Sequence, residues 1–486
     1  MSFLDIARSS YVSLPLGVRR YIGAALAAVP VELRYGPTYR NCRAEIAQAR
    51  RDPIMARKEQ QKRLLQVVTT ALQHSPYYKE AFATVFGPNP RADEIVQPEN
   101  WQRVQVLDNH TVRREAANLC CVPRERLDRV TTGGSAGQPL VFFLDRDRSP
   151  REYAFIMDLW ESLGCGPDEW RASFRGWHIP AEAHLPFEIE HGLRQLRMSV
   201  HRMDSNHMSR YADEIANRKI RFLQGYPHAI AKFATFAARS GLPMRYGIAG
   251  IMLHSEPLYP EHRVAIAKGF PNAGLLPFYG LSEKCAFGSP EPAREGVYAM
   301  NPLYGLTELL DDEGAPVTEP GREGRIVSTG LQFLGMPFIR YETGDRATLV
   351  ELPDKANGHH LLVTDIQPRE GHQFLISRSN EPVASFTVML DNEVEAIAAF
   401  QYEQHRPGEV VLRVELAPNA STAMLATYIS KTNERLRGEI TFIPEIVASI
   451  PLTARGKRRI VIQHLPIPPS AERGALPASP HGAVDV

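Results

Sequence analysis

"TTGGSAGQPLVFF" occupies residues 131–143, and its reading decides how the rest of the chain is understood. Three glycines, Gly133, Gly134 and Gly137, stand among small hydroxyl residues and give way at once to β-formers. A tight hairpin turn accounts for such a run. So does a loop whose backbone amides approach a phosphate, with Thr132 and Ser135 adding hydroxyl donors. It is not a Walker loop, because that motif carries a lysine directly after its last glycine, where Gln138 stands. No GxGxxG occurs either, so a dinucleotide fingerprint is absent.

Working outward, short β-rich runs such as "PLVFFL", "GIAGIML" and "GRIVSTG" alternate with helical patterns such as "REYAFIMDLWESLG" and "PHAIAKFATFAARSG" between about Val130 and Ile366. That alternation predicts an α/β body with mixed sheets and helices. Upstream, "RAEIAQARRDPIMARKEQQKRLLQVVTTALQH" has helical periodicity broken once by Pro53, so residues 1–125 read as a helical N-terminal region. Downstream, "QFLISRSNEPVASFTVML", "EVVLRVELAP", "MLATYISKTNERLRGE" and "ITFIPEIV" read as strand, strand, helix, strand. The expected division is a large domain over 1–370, a small α+β domain over 371–465, and a Pro-, Ala-, Gly- and Ser-rich disordered tail over 466–486.

With 486 residues, the chain exceeds what one core serves, since single cores stop growing near roughly 250 to 300 residues. Charges nearly balance, 56 basic against 55 acidic, so no global field argues for nucleic acid or an anionic membrane. Five scattered cysteines without a CxxC pair fit neither a disulfide framework nor a zinc knuckle, and a reducing cytosol is the expected compartment. "YIGAALAAVPVEL", from Tyr21, is too short to span about 30 Å of hydrocarbon and lacks the layout of a signal peptide. The expectation is a packed helix and no transmembrane segment. His359 and His360 lack further spaced ligands, which argues against structural zinc there.

Four more stretches carry chemistry. In "LLPFYGLSEKCAFG", Tyr279, Gly280, Ser282 and Glu283 follow an apolar run; an aromatic face stacks on a purine, and a carboxylate beside it holds Mg2+ that bridges phosphates. A little upstream, "IMLHSEPLYPEHR" sets His254, Ser255, Glu256 and Pro257 at the end of a strand, where ligand crevices of open α/β sheets lie. In "MPFIRYETGDRATL", Asp345 is expected in a Thr-Gly-Asp turn beyond a strand, presented to the hydroxyls of a ribose. In "SIPLTARGKRRIVIQH", Lys457 follows Gly456 in a loop, from which a lysine stabilises charge developing in a transition state. Each segment alone is equally well an ordinary turn, strand end or solvated basic cluster.

In this order, the segments resemble the adenylate-forming superfamily of acyl- and aryl-CoA synthetases, and more narrowly its phenylacetate-CoA ligase branch, in the capsular-polysaccharide-biosynthesis-like subgroup. "HSPYYKEAF", "LQGYPHAIAKFA", "SEPLYPEHR" and "TARGKRRIV" look like family landmarks too, so the resemblance covers nearly the whole chain. It implies a large adenylating domain and a mobile C-terminal lid that swings about a hinge. It also implies that Thr132, Gly133, Gly134, Ser135 and Gly137 cover the ATP phosphates, that Ser255, Glu256, Pro257 and Tyr279 line the adenine beside Gly280 and Ser282, and that Asp345 binds the ribose. Glu283 is implied to help hold Mg2+, with Lys457 as the catalytic lysine.

The implied reaction activates a carboxylic acid with ATP as an acyl-adenylate, releases pyrophosphate, and passes the acyl group to a thiol, with coenzyme A the expected co-substrate. Related enzymes form amides on amines or sugars, load carrier proteins, or transfer an adenylyl group. A third reading, a nucleotide-binding protein without turnover, is motivated by two departures: Ala136 where many relatives have Thr, and Gln138 where some have Lys. The usual hinge Gly-Arg appears as "REGHQFL", leaving Arg369 and His372 as imperfect matches. Phe174, Trp177, His178, Tyr226 and Phe278 are candidate acyl-pocket walls, although a buried place in the core is the better account of each. The sequence leaves open whether the chain is a monomer or a homodimer.

Overall fold

The computed structural model describes residues 16–131, 140–175, 177, 179, 185–200, 203–255, 258, 260–367, 374–378, 380, 382–384, 397–416, 420–436, 438–451, 459 and 461–466. The chain divides into two compact units, Met1–Gln367 and Pro368–Val486.

The first unit opens with helices whose breaks are written in the sequence. Leu16–Ala28 stops before Pro30, and the long pair Gly36–Arg51 and Pro53–His74 is divided where Asp52 caps the second helix, accepting from the amides of Ile54 and Met55 at 3.0 and 3.3 Å. Pro53 sits at the first helical position, where its missing N–H costs nothing. Strands β1 (Leu127–Thr131) and β2 (Val141–Asp145) form an antiparallel hairpin whose connection carries the glycine-rich run.

A six-stranded sheet follows, built from β3 (Arg171–Arg175), β4 (Phe187–Glu190), β5 (Gln195–Ser199), β6 (Phe222–Gly225), β7 (Gly250–Leu253) and β8 (Gly274–Pro277) in the order β4-β5-β3-β6-β7-β8. Only β4 is antiparallel. β6 and β7 are buried along their whole lengths, as expected of strands covered on both faces. The chain first builds from β3 to one side and then, after β5, crosses to the other side to lay down β6. That reversal makes a switch point, and crevices of open α/β sheets open at the carboxyl ends of strands there.

Leaving β8, the chain enters a seven-stranded antiparallel sheet of β9 (Tyr279–Gly280), β10 (Phe287–Pro290), β11 (Tyr298–Met300), β12 (Gly305–Leu310), β13 (Glu323–Gly330), β14 (Tyr341–Glu351) and β15 (Leu361–Gln367). Its order is β12-β13-β14-β15-β11-β10-β9.

The second unit has a hairpin of β16 (Phe374–Ile376) and β17 (Pro382–Ala384), where the sequence suggested one strand. It also has a four-stranded sheet of β18 (Ile397–Arg406), β19 (Glu409–Leu416), β20 (Thr441–Ile446) and β21 (Val461–Gln463) in the order β20-β19-β18-β21. Helix Thr422–Arg435 gives Leu425, Tyr428 and Ile429 to a core with Phe400, Tyr402, Val410, Leu412, Val414 and Phe442. β18 was not read from the sequence, because "IAAFQYEQHR" mixes polar residues into a strand with one wet face.

All five cysteines are buried and unpaired with one another. Among the described residues no helix is long and apolar enough to cross a membrane.

Candidate active site

Strand register lines up the carboxyl edge of the parallel sheet. Phe174 pairs with Gly225, Gly225 with Leu253, and Leu253 with Pro277. One residue further on, the amides of Tyr226, His254 and Phe278 donate to the carbonyls of Phe174, Gly225 and Leu253 at 3.1, 3.2 and 3.1 Å. The result is an aromatic row just past the last rung. His254 meets Tyr226 edge-on at 6.3 Å and lies tilted against Phe278 at 5.7 Å, while Tyr226 stacks on His228 at 6.1 Å. Gly225 is required at the turn-off: its φ is 147°, and a Cβ there would stand 2.1 Å from the carbonyl oxygen of Phe174.

Among the candidate wall residues, Tyr226 and Phe278 therefore share this edge. Phe174 does not; it is fully buried against Phe233 and Tyr211 and belongs to the core. Trp177 donates from its indole N–H to the Ser173 hydroxyl at 3.3 Å and lies under the Arg197 guanidinium at 4.5 Å. His178 lies outside the described residues.

Tyr279 stands at the junction of the two sheets, one residue past Phe278 and opposite Gly288. Its hydroxyl donates to Asp345 Oδ2 at 2.6 Å, across 66 positions of sequence. Burial, with the Asp345 charge beside it, pushes this phenol well above its ordinary value, so it stays a donor. Asp345 is only 5% exposed.

The expected turn around Asp345 is corrected by the structure. Thr343, Gly344 and Asp345 lie inside the eleven-residue β14, as a bulge: Glu342 opposes Val327 and Arg346 opposes Arg325, so three residues face Ile326 alone. Gly344 takes φ 79° to make it, and the Thr343 hydroxyl accepts from the Asp345 amide at 3.1 Å. Tyr341, Thr343 and Asp345 consequently turn toward the buried side of the strand.

Glu283 follows in the turn after β9 and is 2% exposed, whereas Gly280 and Ser282 beside it are exposed. The Tyr341 hydroxyl stands 2.8 Å from Glu283 Oε1 and 2.7 Å from Asn109 Oδ1, joining the start of β14 and the helix Asn109–Glu115 to this turn. Next along, Lys284 takes φ 58° and binds Glu152 at 2.8 Å, and Glu152 also accepts from Tyr304. Ser255, past β7, also takes a left-handed φ, 70°, with its hydroxyl 3.0 Å from His254 Nδ1. Two non-glycine residues in that region, both beside the same edge, mark a backbone held in place by its surroundings.

The structure thus brings Ser255, Tyr279, Glu283 and Asp345 onto connected segments of one edge. Thr132, Gly133, Gly134, Ser135, Gly137, Glu256, Pro257 and Lys457 lie outside the described residues, as do Arg369 and His372. Tyr341, Asn109, His228 and Glu152 were missed from sequence. A signal existed for the first: Tyr341, Thr343 and Asp345 recur at every second position, the spacing of one face of a strand.

This architecture is shared with solved structures of CoA ligases. A 2-hydroxyisobutyryl-CoA ligase in the postadenylation state, in complex with 2-HIB-AMP, is 18% identical, with a TM-score of 0.65 over 83% of this chain and 88% of that one. An open conformation of the same ligase, in complex with 2-HIB-AMP and CoA, gives 0.53 at 18% identity over 83% and 90%. The likeness is one of fold: this chain shares the fold of those 2-hydroxyisobutyryl-CoA ligase structures. Among curated proteins, Protein CapK of Staphylococcus aureus is 21% identical over 396 residues, covering 79% of this chain and 85% of that protein. No family model matches the chain.

Proposed function

We propose that this chain is an AMP-forming ligase that activates a carboxylic acid as an acyl-adenylate and transfers the acyl group to the thiol of coenzyme A. The observation that carries the reading is the pair of hydrogen bonds Tyr279–Asp345 and Tyr341–Glu283, which tie "YGLSE" to "RYETGD" at the carboxyl edge of the parallel sheet. Two motifs that resemble nucleotide-binding landmarks meet where such folds hold ligands.

In this proposal Tyr279 and Ser255–Pro257 hold the adenine, and Asp345 accepts from the ribose, its other contact to Tyr279 fixing the carboxylate's rotamer. Thr132–Gly137 cover the phosphates. Tyr226, His254 and Phe278 border the acid. Mg2+ takes one or two carboxylates together with substrate phosphates, a donor set that Glu283 fits; the ion would neutralise phosphate charge. The substrate carboxylate attacks the α-phosphorus of ATP, and the bond to pyrophosphate breaks. Lys457 stabilises the negative charge that accumulates as this happens. Alignment and charge account for most of the rate, since no protein nucleophile is needed.

The test is pyrophosphate release across a panel of carboxylic acids, with thioester detected by mass spectrometry. Release that depends on an added acid, and falls at least about a hundredfold in Lys457→Ala, is expected from the loss of one transition-state contact. Acid-independent behaviour, or normal turnover by both Lys457→Ala and Asp345→Asn, overturns the reading.

A further inference from the structure

The solvent face of the second unit carries a cluster unrelated to the chemistry above. Glu403 and His405 stand two residues apart at the end of β18, where its pairing with β19 shifts register between Glu403 and Arg406. β21 runs parallel beside them, with Glu403 opposite Ile462 and Gln404 opposite Gln463, so the next residue, His464, falls beside His405. The opposite face is occupied by the core: Tyr402 is buried there, and Gln404 is fully buried, with its side chain bonded to Ile376 and Gln463. Pairing with β21 and the irregular end of β18 bring the three side chains to one spot, with Glu403 and His464 61 positions apart in sequence.

We infer that Glu403, His405 and His464 form a binding site for a divalent transition-metal ion of the zinc class. His464 Nε2 lies 2.9 Å and His405 Nε2 3.2 Å from the same oxygen, Glu403 Oε1. All three donor atoms lie within 4.8 Å of one another. Bonds of about 2.0–2.1 Å at tetrahedral angles set neighbouring ligand atoms about 3.3 Å apart, close to the two nitrogen-to-oxygen distances found here. The two imidazoles stack at 4.0 Å and 9°, presenting the same edge to the carboxylate.

The surroundings suit this use. Arg413 pairs with the other carboxylate oxygen, Oε2, and is itself held by Glu445 at 3.0 Å. That contact fixes the carboxylate and leaves Oε1 directed at the histidines, as outer partners of metal ligands do. It also adds a positive charge nearby, which places the affinity below that of a closed structural site. His405 and His464 are about half exposed, which leaves the remaining coordination position to water. Two imidazoles and one carboxylate select zinc, copper or nickel over magnesium, whose preference is for oxygen alone. The bound ion staples the end of β18 to the segment after β21, and the second unit gains thermal stability by mass action.

The experiment is a calorimetric titration of the full, chelator-stripped chain with zinc chloride in a non-coordinating buffer. A Co2+ titration read by its visible absorption runs in parallel. One equivalent is expected in the wild type, insensitive to excess Mg2+, together with a tetrahedral Co2+ band. The double variant His405→Ala/His464→Ala should lose that equivalent and the band, and Glu403→Gln should weaken it at least about tenfold, the effect of disturbing even outer partners of a metal site. Should the double variant fail to fold by circular dichroism, His405→Gln at the most exposed ligand provides the same comparison. No zinc uptake by the wild type, or undiminished uptake by the folded variants, overturns the inference.

Discussion

The two sheets of the first unit hold their site residues by different means. In the six-stranded parallel sheet, position is a matter of backbone: Tyr226, His254 and Phe278 land in a row because each amide donates to the last rung of the neighbouring strand. In the seven-stranded antiparallel sheet, position is a matter of side chains: Asp345 and Glu283 are each gripped by a tyrosine hydroxyl, and the bulge at Gly344 turns the chain to make one of those contacts. The contrast teaches where each sheet is vulnerable. Backbone placement tolerates changes of side chain and fails when main chains are pushed apart, whereas the side-chain network keeps its strands and loses its aim.

Gly225→Ala attacks the first kind of placement. With the native φ strained for any side chain and a Cβ 2.1 Å from the Phe174 carbonyl oxygen, stability should fall by about 3–5 kcal/mol. A urea midpoint equal to the wild type would count against the backbone account. Glu308→Ala attacks the second kind by removing the partner of a buried charge. Arg340, 2% exposed, binds both Glu308 oxygens and the carbonyls of Gln102 and Val104, so removing the carboxylate should cost about 3 kcal/mol. Unfolding midpoints measure it, and replacing Glu308 and Arg340 together by apolar residues should recover part of the loss.

Tyr279→Phe sharpens the comparison, since it deletes one hydrogen bond and leaves both sheets intact. A stability change of about 1 kcal/mol is expected, with a rise in the KM for ATP as the larger effect. An unchanged KM would separate Asp345 from nucleotide binding. The smallest effect is pH-dependent. Burial lowers the His360 imidazole below its ordinary value, while Nδ1 meets the Met300 carbonyl at 3.1 Å. The unfolded chain then binds the proton more readily, so His360's contribution is complete above about pH 6.5 and is lost as pH falls through the folded value. His360→Asn should flatten thermal stability over that interval, and identical pH profiles would refute the assignment.

Much of the first unit was legible because its signals are local. Pro53 marks a break between helices, and the apolar run "GIAGIML" announces the covered strand β7 by composition alone. The order of the landmark segments fixed the fold class before any contact was known. Asp345 shows the limit. A Thr-Gly-Asp sequence reads as a turn in isolation, and only pairing with β13 on one side and β15 on the other converts it to a bulge within a strand.

What the sequence by itself determined was therefore the kind of each element and the residue types brought to the site, since periodicity, caps and glycine placement act over a few positions. Only the tertiary structure decided which of those residues meet. The Tyr279–Asp345 bond, the Tyr341–Glu283 bond and the Glu403–His405–His464 cluster all join positions about sixty apart. Strand order and register set those meetings, and they depend on burying whole faces at once, a property that no short window of sequence contains.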